Sequence, residues 1–277
     1  MRPEDVKICI LRIEGTNCED ESLLAFKRLG ANVELVHLKQ LTGQDVWDSE
    51  KRDLMDYHIL MIPGGFSSGD YVRAGAIWAA RIKSKLSSPL TEFIKEGRAV
   101  LGVCNGFQVL VEMGFLPGID GVMSQVPQAV LTTNDSSRFE CRPTLLKYVN
   151  NFNCIFTHKL NQGQVLLVPS AHAEGKLLFP TEKAEKIYKD LEENDQIVFK
   201  YVDQNGEYAG YPWNPNGSPR NIAGICNPSG NVMGMMPHPE RVFHRFTHPD
   251  WTRGFSSPVG DGRIIFESVL ESVMKKL

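Results

Sequence analysis

The stretch Ala99-Val100-Leu101-Gly102-Val103-Cys104-Asn105-Gly106-Phe107-Gln108-Val109-Leu110 decides the fold. It opens as a run of small and β-branched apolar residues, which suits a strand buried on both faces. The chain turns through Gly102, Cys104 and Gly106 and resumes with apolar groups at helical spacing as far as Met113. Gly114 is then placed to cap a helix C-terminus. A cysteine between glycines at a strand-to-helix corner is the thiol form of the nucleophile elbow. The glycines admit a strained backbone and the close passage of neighbouring chains. The helix N-terminus just beyond favours negative charge, helping to ionise the thiol and to hold an oxyanion. A lone cysteine is most often a structural one. The paired glycines and the switch from strand to helix assign Cys104 instead as a nucleophile.

Working outward, Val6–Ile13, Val33–Leu38 and His58–Ile62 read as further strands. Between the first two, Asp20–Leu29 reads as an amphipathic helix with Leu23, Leu24 and Phe26 inward and Gly30 ending it. Residues 39–56 are polar and suit a helix or loop on the rim. Tyr71 to about Ser84 and Leu90–Glu96 read as helical. Strands alternating with helices predict an α/β fold with a mostly parallel central sheet and helices on both faces. In such sheets the chemistry gathers at the carboxyl ends of the strands. Beyond residue 114 the alternation loosens. Residues 138–148 and 151–157 suggest β structure, Gln164–Val168 a strand, and Pro169–Gly175 a polar loop. Residues 180–195 read as a charged, solvated helix, followed by strands at Gln196–Val202 and Glu207–Tyr211 and a turn-rich loop at Pro212–Arg220. Asn221–Cys226 and Asn231–Met235 form a hairpin across Asn227-Pro228-Ser229-Gly230. No repeat or linker divides the chain, so residues 1–277 are expected to form one domain.

At 277 residues the chain can bury a sizeable core. A formal net charge of −3 gives no electrostatic ground for a nucleic-acid or anionic-membrane partner. No apolar run approaches the ~20 residues that cross a bilayer, and the N-terminus lacks a signal-peptide pattern. The six cysteines are scattered and form no CxxC, which fits reduced thiols in a cytoplasm. Cys141, Cys154 and His158 lack the second close pair a zinc site needs, so no metal is expected.

A thiol nucleophile needs a base, and histidine titrates in the right range. Met236-Pro237-His238-Pro239-Glu240-Arg241 follows the last strand. In extended chain His238 and Glu240 project to one side, so the carboxylate can fix the imidazole's tautomer. His58 and His158 read as structural or solvated. Pro63-Gly64-Gly65, at the end of the third strand, is by itself only a tight turn. Beside a nucleophile, its backbone N–H groups supply half an oxyanion hole, and Asn105 N–H the other half.

Together these residues carry a resemblance. Gly102–Gln108 with Pro237-His238-Pro239-Glu240 resembles the class I (triad) glutamine amidotransferases, whose sheet is flavodoxin-like. Gly15-Thr16-Asn17-Cys18, Pro63–Asp70, Arg138–Arg142, Ala171–Gly175, Pro215–Ser218 and Gly234–Arg241 resemble the glutaminase subunits of phosphoribosylformylglycinamidine synthase. The likeness runs to Asp261-Gly262; residues 39–56, 176–195 and 243–260 look longer than the short bacterial pattern, and the corner reads Phe66-Ser67-Ser68-Gly69 where an aromatic commonly precedes the glycine.

The resemblance implies hydrolysis of L-glutamine by a Cys104–His238–Glu240 triad, with ammonia passed to an ATP-dependent synthetase subunit in purine synthesis. It implies that Gln108, Arg138 and Phe139 hold glutamine, and that His172 and Glu174 lie in a family-specific loop near the partner or the ammonia exit, against the alternative of a solvated loop. No cofactor is expected in this chain, which has no phosphate loop; ATP and Mg are expected in the synthetase, and a small third subunit is left open. The rivals are a stand-alone cysteine γ-glutamyl hydrolase, a glutaminase subunit of another amidotransferase, and a catalytically silent binding subunit, which the intact triad argues against. The resemblance also leads to the expectation that the chain alone is a poor glutaminase, with a flexible Gly64-Gly65 corner as the means.

Overall fold

The computed structural model describes every residue except Phe152, Phe255, Ser256 and Leu277. The first half of the chain gives β1 (Lys7–Arg12), α1 (Glu19–Lys27), β2 (Asn32–His37), α2 (Leu38–Thr42), β3 (Ile59–Ile62), α3 (Ala76–Lys95), β4 (Ala99–Val103) and α4 (Asn105–Met113). The second half gives β5 (Val130–Thr132), β6 (Glu140–Tyr148), β7 (Val165–His172), β8 (Lys176–Leu178), α5 (Ala184–Glu193), β9 (Ile197–Val202), β10 (Ile222–Cys226), β11 (Val232–Met235) and α6 (Arg263–Lys276).

One large sheet has the order β2-β1-β3-β4-β11-β10-β9-β6-β7, and β5 pairs with β8 separately. From β2 to β11 the strands run parallel. From β11 onward each neighbour is antiparallel. β3 and β4 are buried along their whole length, as continuous apolar runs require in a sheet covered on both sides. The chain leaves β1 toward β2 on one side and returns to β3 on the other. Right-handed crossovers therefore put α1 and α3 on opposite faces. α6 joins α1, with Phe26 and Phe266 in edge-to-face contact at 5.0 Å, and α4 packs beside α3. The reversal of strand order between β1 and β3 opens a crevice at their carboxyl ends.

Several local expectations are corrected. Residues 76–95 form one helix through Pro89 rather than two pieces, and residues 71–75 stay outside it. A proline inside a helix costs about 3 kcal/mol, but the buried stripe Trp78, Ala79, Ile82, Leu86, Leu90, Phe93 and Ile94 runs unbroken across it. Leu24 is 46% exposed, and α1 buries Ser22 and Ala25 in its place alongside Phe26. The described residues of 151–157 are turns, held by Cys154 N–H to Asn150 Oδ1 and Thr157 Oγ1 to Cys154 O, not a strand; Phe152 lies outside the described residues. Residues 207–211 form no strand either, the turn Asp203–Glu207 closing on itself and leaving Tyr208 and Tyr211 exposed. The supposed polar loop at 169–175 is largely the end of β7, whose ladder to β6 continues to Glu140↔His172.

Candidate active site

Cys104 sits at the end of β4 with φ 51° and ψ −107°, a conformation L-residues seldom adopt. Its N–H donates to Met235 O at 2.8 Å, and its carbonyl accepts from Gln108 N–H at 3.1 Å. The corner is tight because α4 starts directly over β3. A β-carbon on Gly106 would overlap the Ile62 carbonyl, so only glycine fits there.

β11 lies beside β4 in parallel register, with Met235 opposite Val103. The chain leaving β11 therefore enters the site from the same edge as the elbow. His238 N–H donates to Pro169 O at 2.7 Å, and Pro239–Val242 then form a 3-10 turn. The turn, not extended chain, places the carboxylate: His238 Nδ1 donates to Glu240 Oε1 at 2.6 Å, both side chains buried. Burial disfavours charge on the imidazole, but Glu240, then Cys104 and Cys18, outweigh it and hold the His238 pKa well above the ordinary histidine range. Cys104 acts on it both through charge and as a hydrogen-bonding neighbour. Its Sγ also donates to Ala171 O at 3.6 Å, and the His238 side chain is buried.

The glycine corner faces this group. A β-carbon on Gly64 would come within 2.7 Å of His238 Cε1 and 3.3 Å of Cys104 Cβ. The Gly64 carbonyl accepts from Asn17 and Cys18 N–H, each at 3.3 Å, and Phe66 N–H donates to Gly15 O at 2.8 Å. Gly65 N–H takes no part in that bridge. Asn105 opens α4, where first-turn N–H groups have no intrahelical acceptor.

The remaining candidates divide. Gln108 is 4% exposed, and its side chain is already engaged: Nε2 donates to Glu174 O at 2.6 Å and Oε1 accepts from Asn105 Nδ2 at 2.9 Å. Phe139 stands half exposed, its ring 6.2 Å from that of Phe66 at the glycine corner. Arg138 is exposed, tied down only through its carbonyl, which accepts from Asn134 Nδ2 at 2.9 Å. His172 and Glu174 are not in a solvated loop. Glu174 Oε2 accepts from Ala74 N–H at 3.1 Å, and His172 is buried with Nδ1 3.2 Å from Asn134 Oδ1. Burial and the nearby charge of His238 push the His172 pKa down to about 4, so it stays neutral near pH 7.

Three residues with no role in the sequence reading also shape the site. Asn134, 2% exposed, holds the 171–175 segment through His172 O at 2.8 Å and Gly175 N–H at 3.0 Å. Asp70 Oδ1 accepts from Asn105 Nδ2 at 3.4 Å, and burial, aided by the Glu174 charge, raises its pKa to about 6. Cys18 lies 3.8 Å from His238 Nδ1 and accepts from Arg241 Nη2 at 3.1 Å. Cys18 stood in a quoted motif, but nothing local to it signals contact with a loop more than two hundred residues away. Among the described residues, Cys18, His238 and Glu240 are the donor side chains close enough to share a metal ion. Here they are committed to one another and to the Arg241 guanidinium, whose charge opposes a second cation.

Comparison with known proteins identifies the family. A family model for the CobB/CobQ-like glutamine amidotransferase domain matches residues 5–271. The phosphoribosylformylglycinamidine synthase subunit PurQ of Archaeoglobus fulgidus is 52% identical over 277 residues, covering 99% of this chain and all of that one. That of Picrophilus torridus is 46% identical, covering 95% and 97%. The solved structure of PurLQS from Thermotoga maritima contains a chain 29% identical with a TM-score of 0.69, covering 97% of this chain and 99% of that one.

Proposed function

The chain belongs to the CobB/CobQ-like glutamine amidotransferase family, among its phosphoribosylformylglycinamidine synthase PurQ subunits, and we propose that it hydrolyses L-glutamine at Cys104 and hands the ammonia to a synthetase subunit. The observation that carries the reading is the convergence of the strained Cys104, the His238–Glu240 pair and the glycine corner on one point. The Cys104 thiolate attacks the side-chain carbonyl of glutamine. Gly65 and Asn105 N–H groups hold the oxyanion of the tetrahedral intermediate. The His238 imidazolium gives its proton to the departing nitrogen, ammonia leaves, and a γ-glutamyl thioester remains. Water, deprotonated by His238, then releases glutamate. Glu240 keeps the Nδ1–H tautomer and steadies the imidazolium. Gln108, fixed between Asn105 and Glu174, together with Phe139 beside Phe66 and with Arg138, holds the rest of the substrate.

The synthetase subunit would use Mg-ATP to convert formylglycinamide ribonucleotide to the amidine; the T. maritima relative was solved as PurLQS, which supports an assembly with other subunits. A small third subunit belongs to the same proposal, as does a cytoplasmic setting. Among the described residues no helix is long and apolar enough to cross a membrane. The test is stoichiometric. With the synthetase subunit, Mg-ATP and ribonucleotide, glutamate and amidine are expected in equal amounts; glutamate with no amidine, at any partner concentration, overturns the reading.

The charge on Glu240 makes a pH prediction. His238 must be protonated to expel ammonia, and its raised pKa extends that form upward in pH. Activity is therefore lost as pH rises through that pKa. Glu240→Gln removes the largest raising influence, so the basic limb of the kcat profile is expected to move to lower pH, with a smaller rate loss than His238→Ala. A profile that stays in place shows that Glu240 does not hold the imidazolium.

A further inference from the structure

Cys18 stands where the two halves of the site meet. It is fully buried at the head of α1, where its carbonyl accepts from Ser22 Oγ at 2.6 Å and Ser22 N–H at 3.1 Å. Its N–H, with that of Asn17, holds the Gly64 carbonyl at 3.3 Å. Its Sγ accepts from Arg241 Nη2 at 3.1 Å and lies 3.8 Å from His238 Nδ1. A β-carbon on Gly64 would meet this sulfur at 3.3 Å, the same distance as from Cys104 Cβ.

We propose that Cys18 is a positioning residue for glutamine hydrolysis, locking the oxyanion peptide and the His238 turn into one unit. The inference rests on the functional reading above. A trans peptide points its C=O and N–H in opposite directions. While the Gly64 carbonyl is held toward Asn17 and Cys18, Gly65 N–H must face away from them. Two adjacent glycines can rotate this peptide at little cost, so the hole needs a pin. The pin in turn needs an anchor, because the segment 15–18 is a loop. The anchor is the sulfur: Arg241 is three residues past His238 on the same turn, and its guanidinium ties that turn to the loop. Without the sulfur, the oxyanion donor and the base are free to move independently.

The test uses the chain assembled with its synthetase subunit. Cys18→Ala is expected to lower kcat for glutamate release about 10–10²-fold, below the cost of deleting an oxyanion donor outright, with KM within about threefold. Cys18→Ser, whose hydroxyl can also accept from Arg241, should recover most of the rate. Arg241→Gln should give a loss similar to Cys18→Ala, and the double variant little more than either alone, because both cut one link. Ammonium-driven amidine synthesis and the melting temperature should stay near wild type. The inference is overturned if Cys18→Ala keeps kcat within twofold of wild type, if its loss follows the melting temperature, or if the two substitutions are additive. Should Cys18→Ala fail to assemble, Arg241→Gln decides: an unchanged kcat overturns the inference, and a reduced kcat with unchanged KM supports it. A wild-type complex that releases no glutamate would instead defeat the functional reading itself.

Discussion

Replacing Cys104 by alanine is expected to lower glutamine-dependent amidine synthesis by at least ~10⁴-fold, while the assembled complex still works at its normal rate with ammonium salt. The two outcomes separate because the thiol serves only to generate ammonia. The other thiols cannot stand in for it. Cys18 is behind the imidazole on the Nδ1 side, while Cys9, Cys154 and Cys226 are buried and Cys141 is exposed on β6. Neither Cys18 nor these has the backbone strain that presents the Cys104 sulfur at the elbow. The measurement is amidine formed per minute with glutamine and, separately, with ammonium chloride. Retained glutamine-dependent turnover would remove Cys104 from the mechanism. Loss of both activities would mean that the substitution disrupts assembly, and Cys104→Ser then distinguishes the two causes.

The isolated chain is expected to be a weak glutaminase whose activity rises about 10²–10³-fold when the synthetase subunit and its ligands are added, the effect of completing one missing catalytic element. The element at fault differs from the sequence-based expectation. The Gly64 carbonyl is already held by two N–H donors, so the glycine corner is not loose. The thiol is the element held elsewhere: Cys104 Sγ donates to the Ala171 carbonyl on β7. A small movement of β7 would release the thiol toward His238. Ala171 lies beside His172 and Glu174, and Glu174 reaches Ala74 and Gln108. Pressure from a docked subunit on this segment would be transmitted to the nucleophile. Glutamate release with and without partner measures the effect. Full activity in the chain alone would sink the idea and favour the stand-alone hydrolase.

The sequence alone determined the elbow, because its signals are local. Apolar β-branched residues, glycines and a following helical stripe lie within a dozen positions, and each follows from steric rules that need no distant contact. The parallel half of the sheet was legible for the same reason, as strands and helices alternate there. Burial along α3 was not, since only packing against the sheet compensates for Pro89. Segments 151–157 and 207–211 look like strands in composition, but neither joins the sheet, whose edge strands are β2 and β7, and side-chain-capped turns satisfy backbone groups there instead. Residues 169–175 look polar, but pairing with β6 turns most of them into strand. The partnership of Cys104 with His238 was inferred from chemistry; its physical cause is the insertion of β11 beside β4, a pairing between residues 132 apart that no local pattern encodes. Tertiary structure alone brought Cys18 to His238 and Arg241, and it alone turned the thiol toward Ala171. Both are contacts of 3.1 to 3.8 Å between segments far apart in the chain, which packing sets and composition does not.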